Sequence, residues 1–369
     1  MSVLRRALGA LVAPLVAVVA AMAITSVVIM ASGSSPGDFW SVMLEPPADR
    51  AMVNIVNQSS MIFLSALAAA IGFRMNLFNI GVEGQYQVAS YAAAITVGAA
   101  LVPGLLNVVL GLLVAMVVGA AWAGIAGVLK VTRGVSEVIS TIMLNAIAVT
   151  LVGYLLNTYG LRSGNSRRTT EIPESSQLAG FVPFLDRDGA VWTLCLVAVV
   201  AGIAFSFLLN RTSFGFDLRA TGMSESAAVA SGVKVNRMVT ISMMMSGAIA
   251  GLIWMPAFFG SAHTYGSTFQ FQLGFTGIAV ALLGRNRPLG IVFGALLFAF
   301  LNEQSNRLTI NTDISSNVVQ ITQGVIVLAV VVAYEVVRRR QVAAEQNAVT
   351  RQLDAGKAAG PSDDKAVTA

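Results

Sequence analysis

Charged residues are scarce in this chain, and their scarcity excludes a fold that is surrounded by water. They make up 11% of the 369 residues, whereas 56% of the residues are hydrophobic and the mean hydropathy is +0.76. Soluble domains carry about 25% charged residues. A surface with so few charges must face an apolar solvent, so the composition predicts a membrane protein.

Histidine, cysteine and lysine are also scarce, and each scarcity excludes a kind of site. One histidine, His263, and one cysteine, Cys195, cannot form an intrachain disulfide or a His- or Cys-based metal site. A P-loop needs Gly-Lys followed by Ser or Thr, but all four lysines precede valine or alanine. The chain is therefore predicted not to be an enzyme, and to hold no metal or cofactor.

Ten apolar segments predict an all-α, polytopic membrane bundle with about ten transmembrane helices. A spanning helix needs roughly 20 residues, so the second, eighth and ninth segments are predicted to be half-helices or tilted hairpins. The first is too long for the apolar core of a signal peptide and is predicted to be an uncleaved anchor. The segments are 7–31, 58–73, 79–101, 104–129, 137–158, 191–210, 238–260, 270–284, 288–303 and 317–336.

Lysine and arginine set the predicted orientation, because cytoplasmic loops are enriched in both. With the N-terminus inside, 14 of these residues before the tail fall inside and six outside. This places both termini in the cytoplasm, loop 159–190 outside and loop 211–237 inside. Residues 1–336 are predicted to form the transmembrane domain, and 337–369 a disordered cytoplasmic tail. The basic residues are expected to face membrane lipid, not nucleic acid.

Polar side chains interrupt the apolar pattern where the third segment begins. Asn79, Glu83 and Gln85 lie at predicted bilayer depth, and Asn145 lies in the middle of the fifth segment. A charge at that depth costs about 2.5–3.5 kcal/mol, so it usually faces a cavity or a partner. These four residues are candidates to line or shape a substrate path. The alternative is that Glu83 is interfacial and pairs with Arg74.

Loop 211–237 contains the pattern of a short helix. Ser224 resembles an N-cap, alanines follow it, and Gly232 could end the helix. Its small side chains would leave a surface against which another protein could dock. A solvated surface helix without a partner is the alternative.

Four stretches together resemble the permeases of ABC importers in the branched-chain amino acid, ribose and nucleoside superfamily. They are residues 72–85, 135–145, 219–233 and 274–284. The first is similar to the signature of the nucleoside branch, which works with basic-membrane-protein-type lipoprotein receptors. The long outer loop resembles that of the larger of two permeases. The resemblance covers roughly residues 40–335.

The resemblance implies a type II importer fold and a defined set of partners. These are an ATPase that binds ATP and Mg²⁺, a second homologous permease in a heterodimer, and an extracytoplasmic lipoprotein receptor in a bacterial cytoplasmic membrane. The substrate would be a nucleoside, and the alternative substrate is a simple sugar. A further alternative is that the protein is an ion-coupled secondary transporter. The path could lie within each permease or between them. Stretch 219–233 is similar to the family's coupling helix, with contact candidates Arg219, Gly222, Met223, Ser224, Glu225, Ala227, Ala228 and Gly232.

Overall fold

A computed structural model describes residues 19–181, 189–312 and 317–332, with isolated positions at 315, 336, 339 and 346. The predicted tail and the start of the first apolar segment lie largely outside the described residues. The chain divides into two compact units, residues 34–323 and residues 1–33 with 324–369. The fold and site described below belong to residues 34–323.

Helices dominate the described residues and confirm the all-α prediction; a two-stranded hairpin, β1 (Leu161–Ser163) with β2 (Ser166–Arg168), is a minor addition. Each of the ten apolar segments contains a helix. The helices are α1 Val19–Ala31, α2 Pro36–Met43, α3 Asp49–Arg74, α4 Val82–Gly98, α5 Gly104–Arg133, α6 Glu137–Tyr159, α7 Cys195–Arg211, α8 Ser213–Met223, α9 Glu225–Ala230, α10 Val235–Gly251, α11 Met255–Ala257, α12 Leu273–Leu283, α13 Pro288–Asn311 and α14 Asn317–Val332.

Five of the described helical stretches are long and apolar enough to cross a membrane, or six if the bent pair α7–α8 is one span. Two of the segments predicted to be short are full helices, since α3 has 26 residues and α13 has 24. Both continue into polar sequence that hydropathy excluded. The prediction for 270–284 is confirmed, because α12 has only 11 residues.

One end of the bundle gathers the loops that were predicted to be cytoplasmic. Arg74, at the end of α3, donates from Nη2 to the Asn286 carbonyl at 2.8 Å, so α3 and α12 end side by side. Gly222 packs against the Arg74 carbonyl so closely that a Cβ could not fit. Lys130 pairs with Glu137 at 2.6 Å between α5 and α6.

The opposite end gathers the loops that were predicted to be external. The Thr169 N–H donates to the Tyr265 carbonyl at 2.9 Å, and Arg307 pairs with Glu45 at 2.8 Å. The described part of loop 159–190 is therefore packed onto the bundle and not loose. The two sets of loops therefore lie at opposite ends of the described bundle.

Glycines bring α5 and α10 into backbone contact. A Cβ on Gly119 would collide with the Gly247 carbonyl, and a Cβ on Gly247 would collide with the Gly119 carbonyl. Gly251 meets the Ala115 carbonyl in the same way. Small residues permit such approaches between helices in lipid, where van der Waals packing drives association.

Candidate functional site

Helix α12 begins halfway through the bundle. Its 11 residues span about 16 Å, whereas the 26 residues of α3 span about 39 Å. The two helices end side by side, since Arg74 at the end of α3 donates to the Asn286 carbonyl just after α12. The start of α12 lies beside the middle of α3, where Ser65 Oγ donates to the Leu273 carbonyl at 2.7 Å. A bilayer core is about 30 Å thick, so the start of α12 lies near its middle.

Glu83 joins the start of α12 to the start of α4. Its Oε1 accepts from the Gln272 N–H at 2.8 Å and from Gln87 Nε2 at 3.0 Å, and its Oε2 accepts from the Gly274 N–H at 2.9 Å. The Tyr86 hydroxyl lies 3.2 Å from Oε1 and donates its single proton either there or to the Gln270 carbonyl. A carboxylate is favourable at the N-terminus of a helix because the helix dipole is positive there.

The alternative in which Glu83 is interfacial and pairs with Arg74 is wrong. Glu83 is buried and bonds to side chains of α4 and to the start of α12, whereas Arg74 donates to the Asn286 carbonyl at the end of the bundle. The two residues are separated by the segment between α3 and α4, which turns back into the bundle before α4 starts. Nearness in sequence is therefore misleading here.

Asn79 and Gln85 form a reciprocal carboxamide pair beside Glu83. Asn79 Nδ2 donates to Gln85 Oε1 at 3.1 Å, and Gln85 Nε2 donates to Asn79 Oδ1 at 2.9 Å. Asn79 Nδ2 also donates to Ser246 Oγ of α10 at 2.7 Å, and Ser246 donates to the Ala68 carbonyl of α3. The pair therefore ties the start of α4 to two long helices.

Asn145 fixes the same turn from α6. Its Oδ1 accepts from the Gly84 N–H at 2.8 Å, and its Nδ2 donates to the Ile80 carbonyl at 2.9 Å. Gly84 has no room for a side chain, because a Cβ there would lie 2.9 Å from the Cβ of Ala148. We call the buried set Asn79, Glu83, Gln85, Asn145 and Ser246 the polar hub.

The chain that leads into α12, residues 263–272, is anchored by aromatic rings. The ring of Phe269 stacks on Tyr86 at 5.2 Å and contacts Trp254 at 5.0 Å and Tyr265 at 4.5 Å. The segment follows a π-helical turn, Phe258–Ala262, which ends the α10 span. Such turns are frequent at functional sites.

Beyond Phe269 the chain is exposed, although it lies at the middle of the bundle. Gln270 and Gln272 are exposed, Phe271 is 59% exposed and Phe275 is 48% exposed. We call these four residues the mid-depth face. Sequence reasoning missed them because residues 270–284 were treated as one apolar run. The available signal was a pair of glutamines at the start of a segment too short to span.

The short helix predicted in loop 211–237 is present as α9, with an additional helix, α8, before it. Ser224 caps α9, since its Oγ accepts from the Ala227 N–H at 3.3 Å, and Gly232 has a φ of +83° just beyond its end. Helix α8 is bent by 73° from α7. It was not predicted, because residues 213–223 lack an apolar run.

The coupling candidates divide into exposed and buried positions. Met223 is 88% exposed, and Glu225 and Ala227 are exposed beside it. Ala228 is 1% exposed, so its side chain packs inside the chain. Arg219 donates to the Leu209 carbonyl of α7 and so braces the bend.

A polar groove of about 500 Å³ lies next to α9, between α8 and the start of α10. Asp217, Lys234 and Arg237 supply its charges, and Gly232 lies on its rim. The groove opens at the end of the bundle that was predicted to be cytoplasmic. It extends the exposed surface of α9.

Comparisons with known proteins decide the family. A family model described as the permease component of branched-chain amino acid transport systems matches residues 51–333. This chain belongs to that family. Permease components of ABC transporters are not enzymes themselves and work with an ATPase, so the chain is a multi-pass membrane permease with an ATPase partner.

Individual relatives cover most of the chain. The guanosine ABC transporter permease protein NupP of Bacillus subtilis (strain 168) is 34% identical, over 89% of this chain and 95% of that protein. The nucleoside ABC transporter permease protein NupB of Lactococcus lactis subsp. cremoris (strain MG1363) is 28% identical, over 87% and 90%. The glucose ABC transporter permease protein TsgB13 of Haloferax volcanii is 28% identical, over 85% of both.

Proposed function

We propose that this chain is the permease subunit of a nucleoside importer in a bacterial cytoplasmic membrane, with both termini in the cytoplasm. The observation that carries this proposal is the similarity to the guanosine permease of Bacillus subtilis along nearly the whole of both chains. A separate ATPase binds ATP and Mg²⁺ and drives transport. This chain itself holds no cofactor.

The polar hub shapes the path by fixing the starts of α4 and of the half-length helix α12. Glu83 holds the starts of α4 and α12 together, and Asn79, Gln85 and Asn145 hold the turn before α4. Broken helices at the bilayer midplane are a recurring feature of transporters. These four residues therefore position the path, while exposed neighbours contact the substrate.

Helix α9 transmits the movement of the ATPase. Met223, Glu225 and Ala227 are exposed beside one another, and small side chains permit close docking into a groove. Through α8 the surface reaches the Arg74 carbonyl at the end of α3, because Gly222 packs there. A displacement of α9 would thus be passed to α3, whose Ala68 carbonyl accepts from Ser246 of the polar hub.

Two further partners complete the proposed assembly. A second, homologous permease would form a heterodimer with this chain, and a lipoprotein receptor would deliver substrate at the outer end. The external loop supports this, since its described part is packed against the bundle through Thr169 and Ile172, which bond to Tyr265 and His263. A packed outer surface is suited to receive a receptor.

The experiment that tests the function is uptake of radiolabelled guanosine by cells that produce the complete transporter. We expect unlabelled nucleosides to compete, and glucose, ribose and branched-chain amino acids not to compete. Glucose is the second candidate, because the glucose permease of Haloferax volcanii is also similar to this chain. Competition by glucose alone would replace the nucleoside assignment with the sugar one.

An ion-coupled secondary transporter is tested in the same cells. An ATPase subunit that binds but cannot hydrolyse ATP should abolish uptake. Uptake that persists with this ATPase and collapses with the proton or sodium gradient would contradict the importer assignment.

A further inference from the structure

The mid-depth face presents polar groups where lipid cannot satisfy them. The side-chain amides of Gln270 and Gln272 make no hydrogen bond to other described residues, and both side chains are exposed. Transfer of an amide from water into hydrocarbon without a hydrogen-bond partner costs about 4–8 kcal/mol of free energy on the cyclohexane scale. The face therefore meets water in a path, or a partner, and not acyl chains.

The backbone under this face is held rigidly. Gln272 has a φ of +71°, in the left-handed region, and its N–H points to Glu83 Oε1 at 2.8 Å. On the other side, Phe269 is buried among Tyr86, Trp254 and Tyr265. A segment fixed at both ends can hold two amides and two rings in a constant arrangement, as recognition of a ligand requires.

The chemistry of the face suits a neutral, flat ligand that carries hydrogen-bonding edges. Carboxamides of glutamine and asparagine donate to and accept from the edges of nucleobases, and phenylalanine rings stack on base planes. The nearest carboxylate, Glu83, is buried and occupied by N–H donors, so it presents no free charge to the face. An uncharged nucleoside meets these conditions better than an amino acid or a nucleotide.

We propose that Gln270, Phe271, Gln272 and Phe275 form the substrate-contacting site of the permease. The amides bind the edge of the nucleobase or the ribose hydroxyls, and the two rings stack on the base. This inference rests on the proposed nucleoside import. It assigns substrate contact to residues outside the polar hub, which positions them.

Transport kinetics test the site in the complete transporter. The Gln272→Ala and Phe275→Ala variants should each raise the KM for guanosine uptake about tenfold. The complex should be recovered in normal yield. The matched control is Phe207→Ala, because Phe207 is 61% exposed on α7 and outside the proposed site. A wild-type KM in both test variants would overturn the proposal.

Thiol labelling tests the same face without relying on uptake. In a Cys195→Ala background, the Gln272→Cys variant should react with a water-soluble thiol reagent, and guanosine should slow the reaction. The Phe207→Cys variant should react slowly and without protection. Failure to react, or reaction without protection in a complex that imports guanosine, would overturn the site, and a cross-link to the second permease would assign the face to that partner.

The two assays also separate this proposal from the function beneath it. If the wild-type transporter imports no nucleoside, the proposed function fails, and nucleoside contact fails with it. If it imports nucleosides normally and the variants behave as wild type, only the site fails.

Discussion

Glu83 sets the relative position of the starts of α4 and α12 through one carboxylate. The backbone N–H groups of Gln272 and Gly274, at the start of α12, donate to its two oxygens. Neither N–H group has another acceptor among the described residues. Removing one member of such a buried set leaves donors without a partner, at a cost of about 1–3 kcal/mol each. The residue is therefore expected to be sensitive even to an isosteric change.

The first prediction is that Glu83→Gln lowers both the melting temperature of the purified permease and the rate of uptake. The amide retains one acceptor but turns an NH₂ group toward N–H donors. Loss of stability should be about 1–3 kcal/mol. The measurement is thermal unfolding in detergent alongside guanosine uptake.

Glu303→Gln is the matched control for this change. Glu303 Oε1 accepts from Asn54 Nδ2 at 3.2 Å at a solvent-accessible position, and an amide oxygen can replace it. The control should behave as wild type. Equal stability of Glu83→Gln and Glu303→Gln would contradict the role given to Glu83.

The sequence could predict which residues of this site are polar at bilayer depth, because burying them there costs free energy. It could not predict their partners, because these lie far away along the chain. Glu83 and Asn79 could be singled out because polar groups at bilayer depth need partners. Their partners could not be named, because Gln272 and Gly274 lie 189 and 191 residues away in the chain. Nor could hydropathy show that Phe271 is exposed while Phe269, two residues earlier, is buried.

At the scale of helices, the close packing of α5 against α10 supports the polar hub. Helices α5 and α10 touch through Gly119 and Gly247, where neither backbone can move aside for a side chain. Helix α10 also carries Ser246 of the polar hub. Separation of the two helices would therefore disturb the site as well as the fold.

The second prediction is that Gly247→Leu sharply reduces the amount of folded permease. The Leu side chain would collide with the Gly119 carbonyl and with Ala123. The control is Gly153→Leu on α6, where a Cβ meets no atom within 4 Å. Fluorescence-detected size-exclusion profiles measure both, and equal monodisperse yields would show that the contact is dispensable.

The third prediction concerns coupling at α9. Ala227→Trp should release the ATPase or uncouple hydrolysis from uptake, because Ala227 is exposed on the proposed docking surface. Ala228→Trp is not equivalent, since Ala228 is buried and the larger side chain would disturb packing inside the chain. Co-purification of the ATPase and guanosine-stimulated hydrolysis are the measurements.

Ala48→Trp controls for the size of the new side chain. Ala48 is exposed at the opposite end of the bundle, next to the start of α3. This variant should retain the ATPase. If Ala227→Trp retains the ATPase and transports at the wild-type rate, α9 is not the coupling element.

At the scale of the whole molecule, orientation remains the main prediction from charge. The structure places loop 211–237 and the end of α3 together, and the described part of loop 159–190 at the other end. Which end faces the cytoplasm depends on the excess of lysine and arginine. The segments themselves were predictable because length and hydropathy define them, but the polar extension of α3 to Asp49 was not.

The fourth prediction is a pair of labelling results in a Cys195→Ala background. Asn165→Cys, in the exposed turn between β1 and β2, should react with an impermeant reagent added outside intact cells. Val229→Cys, which is exposed on α9, should react only after the membrane is opened. The reverse pattern would invert the topology.

The shortness of α12 has a consequence for how the protein is made. A helix of 11 residues cannot cross a bilayer, and two N–H groups at its start, those of Gln272 and Gly274, donate to Glu83, which is synthesised almost two hundred residues earlier. When α12 leaves the ribosome, α4 must already be in place to receive it. Synthesis from the N-terminus supplies that order, because the chain that forms α4 is made before the chain that forms α12.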